Sequence, residues 1–145
     1  MILRIFYIIK DLIEEIGNLD RKIYVLENSP KDFYISIRSD ATPPISGYEI
    51  SILLKCYKDI KERKTKELYE RWPSYTEYKF ADVEEIVNSI NDLEEKINTI
   101  KTSDYIRLFC DFGTGKFLFD NKYLDLLKDA FEAEQAELIK KLSSY

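Results

Sequence analysis

Eight apolar residues near the N-terminus, Ile2, Ile5, Ile9, Leu12, Ile16, Leu19, Ile23 and Leu26, follow one another at alternating steps of three and four. That is the seam of a long helix, and it needs partner helices to cover it. The same spacing returns at Val83, Ile86, Ile90, Leu93, Ile97 and Ile100. Two such seams predict a mainly α fold, a four-helix bundle with shallow crossing angles, occupying residues 1–145 as a single domain.

The first helix is expected over Met1 to Asn28, with Gly17 as a place to bend and Ser29-Pro30 as its stop. Phe33, Ile35 and Ile37 alternate with polar residues, as in a short strand or an extended connector. Asp40 to Pro43-Pro44 is a break. Ser46 and Glu49 then have capping-box spacing, and the second helix carries Ile50, Leu53, Leu54, Tyr57 and Ile60 on its inner face. It continues through Leu68 to Trp72, where Pro73 ends it. Between Ile60 and Leu68 the apolar stripe lapses into charge, with Asp59/Arg63 and Glu62/Lys66 at helix-supporting spacing. This half is expected to project beyond the core or to be largely solvated.

A Tyr-rich linker, Pro73 to Phe80, leads to a second capping-box pair, Asp82 and Glu85, before the third helix, which should fray near Thr102-Ser103. The apolar runs Tyr105–Cys110 and Lys116–Phe119 flank Gly113-Thr114-Gly115 and predict a small β-hairpin before the last helix. Asp120 or Asn121 can cap that helix, whose inner face is Leu124, Leu127, Phe131, Leu138 and Leu142. Ala130, Ala133 and Ala136 would allow a close helix approach.

Composition narrows the function classes by what it lacks. The 145 residues include no histidine, so the commonest general base and zinc ligand are missing. Two cysteines, Cys56 and Cys110, are too few and too far apart for a disulfide framework or a zinc knuckle. Both stand in apolar sequence, as buried small hydrophobes do. Arg4, Lys10, Asp11, Glu14 and Glu15 interrupt the Ile-rich start well short of the ~20 apolar residues of a membrane span. A cytoplasmic chain without a membrane partner is therefore expected. Abundant Tyr, Ile, Lys and Glu suit a thermophile or an AT-rich genome equally.

Charge is distributed unevenly. Residues 1–72 carry 13 Lys+Arg against 12 Asp+Glu, whereas residues 73–145 carry 9 against 15, giving +1 and −6 within a total of −5. An acidic half argues against general nucleic-acid binding and permits attraction to a basic surface.

Gly113-Thr114-Gly115-Lys116 has the look of a phosphate loop, but Phe117 stands where a Ser or Thr belongs and Cys110 where the first Gly belongs, so a hairpin turn explains it better. Lys55, Lys58, Lys61, Arg63, Lys64, Lys66 and Arg71, interleaved with Tyr57, Tyr69 and Trp72, would suit a nucleic-acid backbone. The interspersed Asp59, Glu62, Glu67 and Glu70 point instead to a solvated, ion-paired helix. Asp82, Glu84, Glu85, Asp92, Glu94 and Glu95 crowd the third helix, and Asp125, Asp129, Glu132, Glu134 and Glu137 the fourth. By helical phase most lie opposite the seam, as an exposed acidic face. The sharper alternative is that this face imitates nucleic-acid charge; a helix bundle ~20 Å across has roughly the width of a duplex. Trp72 and Tyr75 beside Pro73 read either as interface aromatics or as the cap on the end of the core.

Short, histidine-free, rich in Tyr, Ile and Lys, acidic and helical, the chain resembles the small accessory proteins of archaeal viruses. Among these it is similar to the RNA polymerase inhibitory proteins of two-tailed viruses. The resemblance covers the whole chain in size, composition and helix layout and includes no motif, so it assigns no residue. It implies a non-enzymatic viral regulator, without cofactor or metal, that lodges in the nucleic-acid channel of host RNA polymerase and represses transcription. Exposed charges and aromatics are the expected contacts: Arg63, Lys64, Lys66, Tyr69, Arg71, Trp72 and Tyr75 at the end of the second helix, Glu84 and Glu95 on the third, and Lys116 and Phe117 in the hairpin. The rival readings are a self-assembling virion-type helical protein, a nucleic-acid binder using helix 55–71, and a carboxylate enzyme.

Overall fold

Both aliphatic seams become helices in the computed structural model, which describes residues 1–28, 47–102, 109–112, 115–118 and 121–145, with side chains within 1–28, 49–102 and 122–145. The described chain is mainly helical: α1 (Leu3–Glu27), α2 (Gly47–Arg71), α3 (Glu77–Thr102) and α4 (Leu124–Leu142). The four expected helices are thus present, with ends within a few residues of those predicted except at the start of α3. Between α3 and α4, the backbone of β1 (Phe109–Phe112) pairs antiparallel with β2 (Gly115–Leu118), Phe109 opposite Leu118 and Phe112 opposite Gly115. A short 3-10 turn, Asn121–Tyr123, precedes α4. The expectations for Phe33–Ile37, Pro43-Pro44, Ser46, the Gly113-Thr114 turn and Asp120 lie outside the described residues.

Two compact units divide the chain, one from Arg4 to Tyr75 and the other from Thr76 to Tyr145 with Met1–Leu3.

In the first unit, α1 runs without interruption through Gly17 and buries Phe6, Ile9, Leu12, Leu19 and Ile23. Four of these belong to the predicted seam; Phe6 widens it into a stripe. Ile2, which precedes the helix, is exposed instead. Asn28 closes the helix, its backbone N–H and its Nδ2 both donating to the Tyr24 carbonyl at 3.0 and 2.9 Å. These bonds satisfy a carbonyl that the last turn would leave unpaired. On α2 the inner-face residues Ile50, Leu53, Leu54, Tyr57 and Ile60 are half-buried, while Leu68 and Trp72 are buried. Cys56 is exposed, contrary to the expectation from its apolar neighbours. Helical phase decides this: Cys56 points about a quarter-turn away from the centre of the face shared by Ile50, Leu53, Leu54, Tyr57 and Ile60.

In the second unit, α3 buries Val83, Ile86, Val87, Ile90, Leu93 and Ile97. Fully burying one such side chain contributes about 1.5–3 kcal/mol before chain entropy is charged against it. The helix begins earlier than its Asp82–Glu85 pair suggested. Thr76 is the N-cap: its Oγ1 accepts from the Lys79 N–H at 3.2 Å, and the Phe80 N–H donates to the Thr76 carbonyl at 2.9 Å. Half of the expected linker, residues 77–80, is therefore helical, and Asp82 lies inside α3.

The partner helix α4 packs antiparallel to α3. Lys101 near the end of α3 pairs with Glu132 at 3.3 Å, and Gln135 Nε2 donates to Glu94 Oε2 at 2.7 Å and to the Ile90 carbonyl at 3.5 Å. Leu142 is buried, whereas Leu124, Leu127, Phe131 and Leu138 are half-buried. The Met1 ammonium donates to the Leu142 carbonyl at 2.8 Å, placing positive charge at the negative end of the α4 dipole. At its other end the N-cap position is Tyr123, which makes no side-chain cap, so Asn121 does not take that position. Among the described residues no helix is long and apolar enough to cross a membrane.

Candidate functional site

The basic stretch of α2 is turned toward α1. Lys58 reaches Glu27 at 2.5 Å, Lys61 pairs with Asp20, and Lys64 reaches Glu15 at 2.7 Å. As the α2 number rises the α1 number falls, so the two helices run antiparallel with a ladder of ion pairs between them. Lys22 of α1 answers in the other direction, its Nζ 5.3 Å from the centre of the Tyr57 ring. The hydrogen bond from Lys64 to Glu15 raises the lysine's pKa above the ordinary 10.5; desolvation lowers it, and the Glu15 and Glu67 charges add to the rise. Three of the lysines read as candidates for a phosphate backbone thus already hold carboxylates.

Within the same unit, a broad open cleft of about 1220 Å³ separates the C-terminal half of α1 from α2, with Ile23, Tyr24 and Tyr69 among its apolar walls. Tyr24 is 67 % exposed there. Its charged margin is mixed, because Lys58–Glu27 and Lys61–Asp20 stand across it.

Of the expected contact residues at the end of α2, Arg63 is exposed and Lys66 lies 3.8 Å from Glu70. Arg71 is exposed but bonded to Glu67 Oε1 through Nε at 3.0 Å and Nη2 at 2.8 Å. The aromatics form one group: Tyr75 meets Tyr69 and Trp72 edge-on, at centroid distances of 6.0 and 5.6 Å. Trp72 is only 3 % exposed, so of its two readings the one that places it at the end of the core fits, and Tyr69 is the exposed ring of the group. The indole Nε1–H of Trp72 finds no acceptor among the described residues.

On α3, Glu84 and Glu95 stand eleven residues apart on one face, roughly opposite the buried seam, about 16 Å from each other along the axis. Glu95 is exposed and Glu84 half-buried. Asp82, Glu85, Asp92 and Glu94 of α3 are exposed, as are Asp125, Asp129, Glu134 and Glu137 of α4. Lys116 and Phe117 hold register positions opposite Asp111 and Cys110; their side chains lie outside the described residues. Among the described residues, no group of three or more His, Cys, Asp or Glu is arranged to hold a metal ion.

Sequence reasoning missed a second cleft, of about 510 Å³, between the C-terminal half of α3 and the N-terminal half of α4. Ile100, Leu124, Leu127 and Phe131 line it with apolar surface, and Asp92 and Glu95 stand at its edge. Lys96 Nζ lies 5.6 Å from the centre of the Phe131 ring. Its signal in the sequence was faint: Leu124, Leu127 and Phe131 satisfy the helical period whether they are fully or half covered. No protein-family model, curated protein or solved structure matches this chain.

Proposed function

We propose that this protein is a non-catalytic interaction protein that binds a large, partly basic partner, RNA polymerase of an archaeal host, in its nucleic-acid channel and represses transcription. One observation carries the reading. On α3 six aliphatic side chains are buried while Asp82, Glu85, Asp92 and Glu95 face solvent, and α4 adds Asp125, Asp129, Glu134 and Glu137 to the exposed set. A rigid helix pair that displays carboxylates attracts a cationic channel and speeds encounter with it, an effect that salt weakens. The resemblance to viral RNA polymerase inhibitors agrees with this charge layout. The rival in which Lys55–Arg71 grips nucleic acid is disfavoured, because Lys58, Lys61 and Lys64 would first have to release α1 carboxylates.

A tagged copy incubated with archaeal cell extract tests the proposal. Recovery of RNA polymerase subunits, together with loss of run-off transcripts when the purified protein is added to purified polymerase, is the expected result. Recovery of the chain alone, with transcription unchanged, overturns it.

A further inference from the structure

The α3–α4 cleft has a chemistry of its own. Its wall is apolar and partly aromatic, and Asp92 and Glu95, one helical turn apart, present two carboxylates at the edge. The chain already places one cation there, since the Lys96 ammonium stands over the Phe131 ring. An aromatic face attracts a cation, and the acidic edge reinforces that preference. Leu124, Leu127, Phe131 and Ile100 are only half-buried, so apolar surface remains for an incoming side chain. The α1–α2 cleft lacks this bias, because its acidic and basic groups are paired across it.

We propose that the α3–α4 cleft docks a basic amphipathic helical segment of a partner protein, its aliphatic side chains against Ile100, Leu124, Leu127 and Phe131 and its lysines or arginines against Asp92 and Glu95. Residues one turn apart on a helix meet both requirements at once. The volume lies within the range of ordinary binding clefts and suits a few side chains rather than a whole domain. This inference rests on the reading of the protein as a binder of basic partners and identifies where one anchoring segment sits.

The test uses the full chain and a fluorescein-labelled leucine–lysine peptide of about 18 residues, long enough to be helical when bound. Anisotropy titration is expected to give saturable binding. Asp92→Lys with Glu95→Lys should weaken it by about tenfold or more, whereas Asp11→Lys with Glu14→Lys, an equal charge change on α1 outside the acidic set, should leave it within about twofold. All four positions are exposed, so folding is preserved, and circular dichroism checks this. Equal weakening by both double variants overturns the proposal, as does equal binding of a serine–lysine peptide of the same charge, or absence of saturation by about 1 mM. Polymerase assays run in parallel separate the two ideas. Inhibition unchanged by the Asp92/Glu95 double variant would remove the cleft from the mechanism and leave the functional reading intact. Cleft-specific peptide binding without any effect on polymerase would uphold the cleft and remove that reading.

Discussion

Lys64 of α2 and Glu15 of α1 meet at 2.7 Å, and their hydrogen bond holds the lysine protonated beyond its ordinary range. The pair makes the stability of this helix hairpin fall in alkali. A lysine whose folded pKa is raised stabilises the fold fully below its unfolded pKa, and that contribution is lost as pH rises through the folded value. The melting temperatures of the wild type and Lys64→Met are therefore expected to differ by a constant amount from neutral pH to about 10, and to converge above 10.5. A difference that grows in alkali would contradict the assignment. Glu15→Gln should remove most of the pH-dependent part, because Glu15 provides the largest raising contribution.

Thr76 sets the start of α3 through its bond to the Lys79 amide. Thr76→Ala should cost about 1 kcal/mol, Thr76→Ser should recover most of it, and Asp82→Ala should cost much less. Denaturant midpoints together with hydrogen exchange at the Lys79 amide measure this. An Asp82 effect larger than that of Thr76 would restore the later helix start.

The seam of α3 is legible because one helical period places Val83, Ile86, Ile90, Leu93, Ile97 and Ile100 on a single arc, and all are buried but Ile100, which is half-buried at the end of the helix. What stayed hidden belongs to neighbours distant in sequence. Spacing rules reveal pairs such as Glu67–Arg71 within one helix, but they do not reveal that Lys58, Lys61 and Lys64 would find Glu27, Asp20 and Glu15 on another. Thr76 carries a weaker capping signal in sequence than the Asp82–Glu85 pair, although it is Thr76 that caps the helix. For Cys56 the apolar flanking residues mislead, because helical phase sets its exposure. For the candidate site, the acidic residues of α3 and α4 were legible, but the cleft beside Asp92 and Glu95 depends on how completely α4 covers α3, which periodicity does not encode.

Gly17 occupies the middle of α1, where a Cβ would meet nothing within 4 Å. Gly17→Ala should stabilise the protein by about 0.4–1 kcal/mol, through helix propensity and a less flexible unfolded chain. Calorimetry would show a higher melting temperature. A lower one would mean that the open space beside Gly17 is filled in solution.

Trp72 is the single tryptophan of the chain, and its burial makes intrinsic fluorescence a reporter of the Arg4–Tyr75 unit. Emission should be blue-shifted in the native protein and resistant to acrylamide, then shift red on unfolding. Quenching as efficient as that of free indole would show Trp72 to be exposed and would return it to the set of partner contacts.

Association kinetics with purified archaeal RNA polymerase, measured across ionic strength, probe the acidic face of α3 and α4 most directly. The account predicts an association rate that falls steeply between about 50 and 500 mM salt, and a low-salt rate reduced about tenfold or more when Asp82, Glu85, Asp125 and Asp129 are changed together to their amides. Association insensitive to both salt and amide substitution, or no association at all, would contradict it.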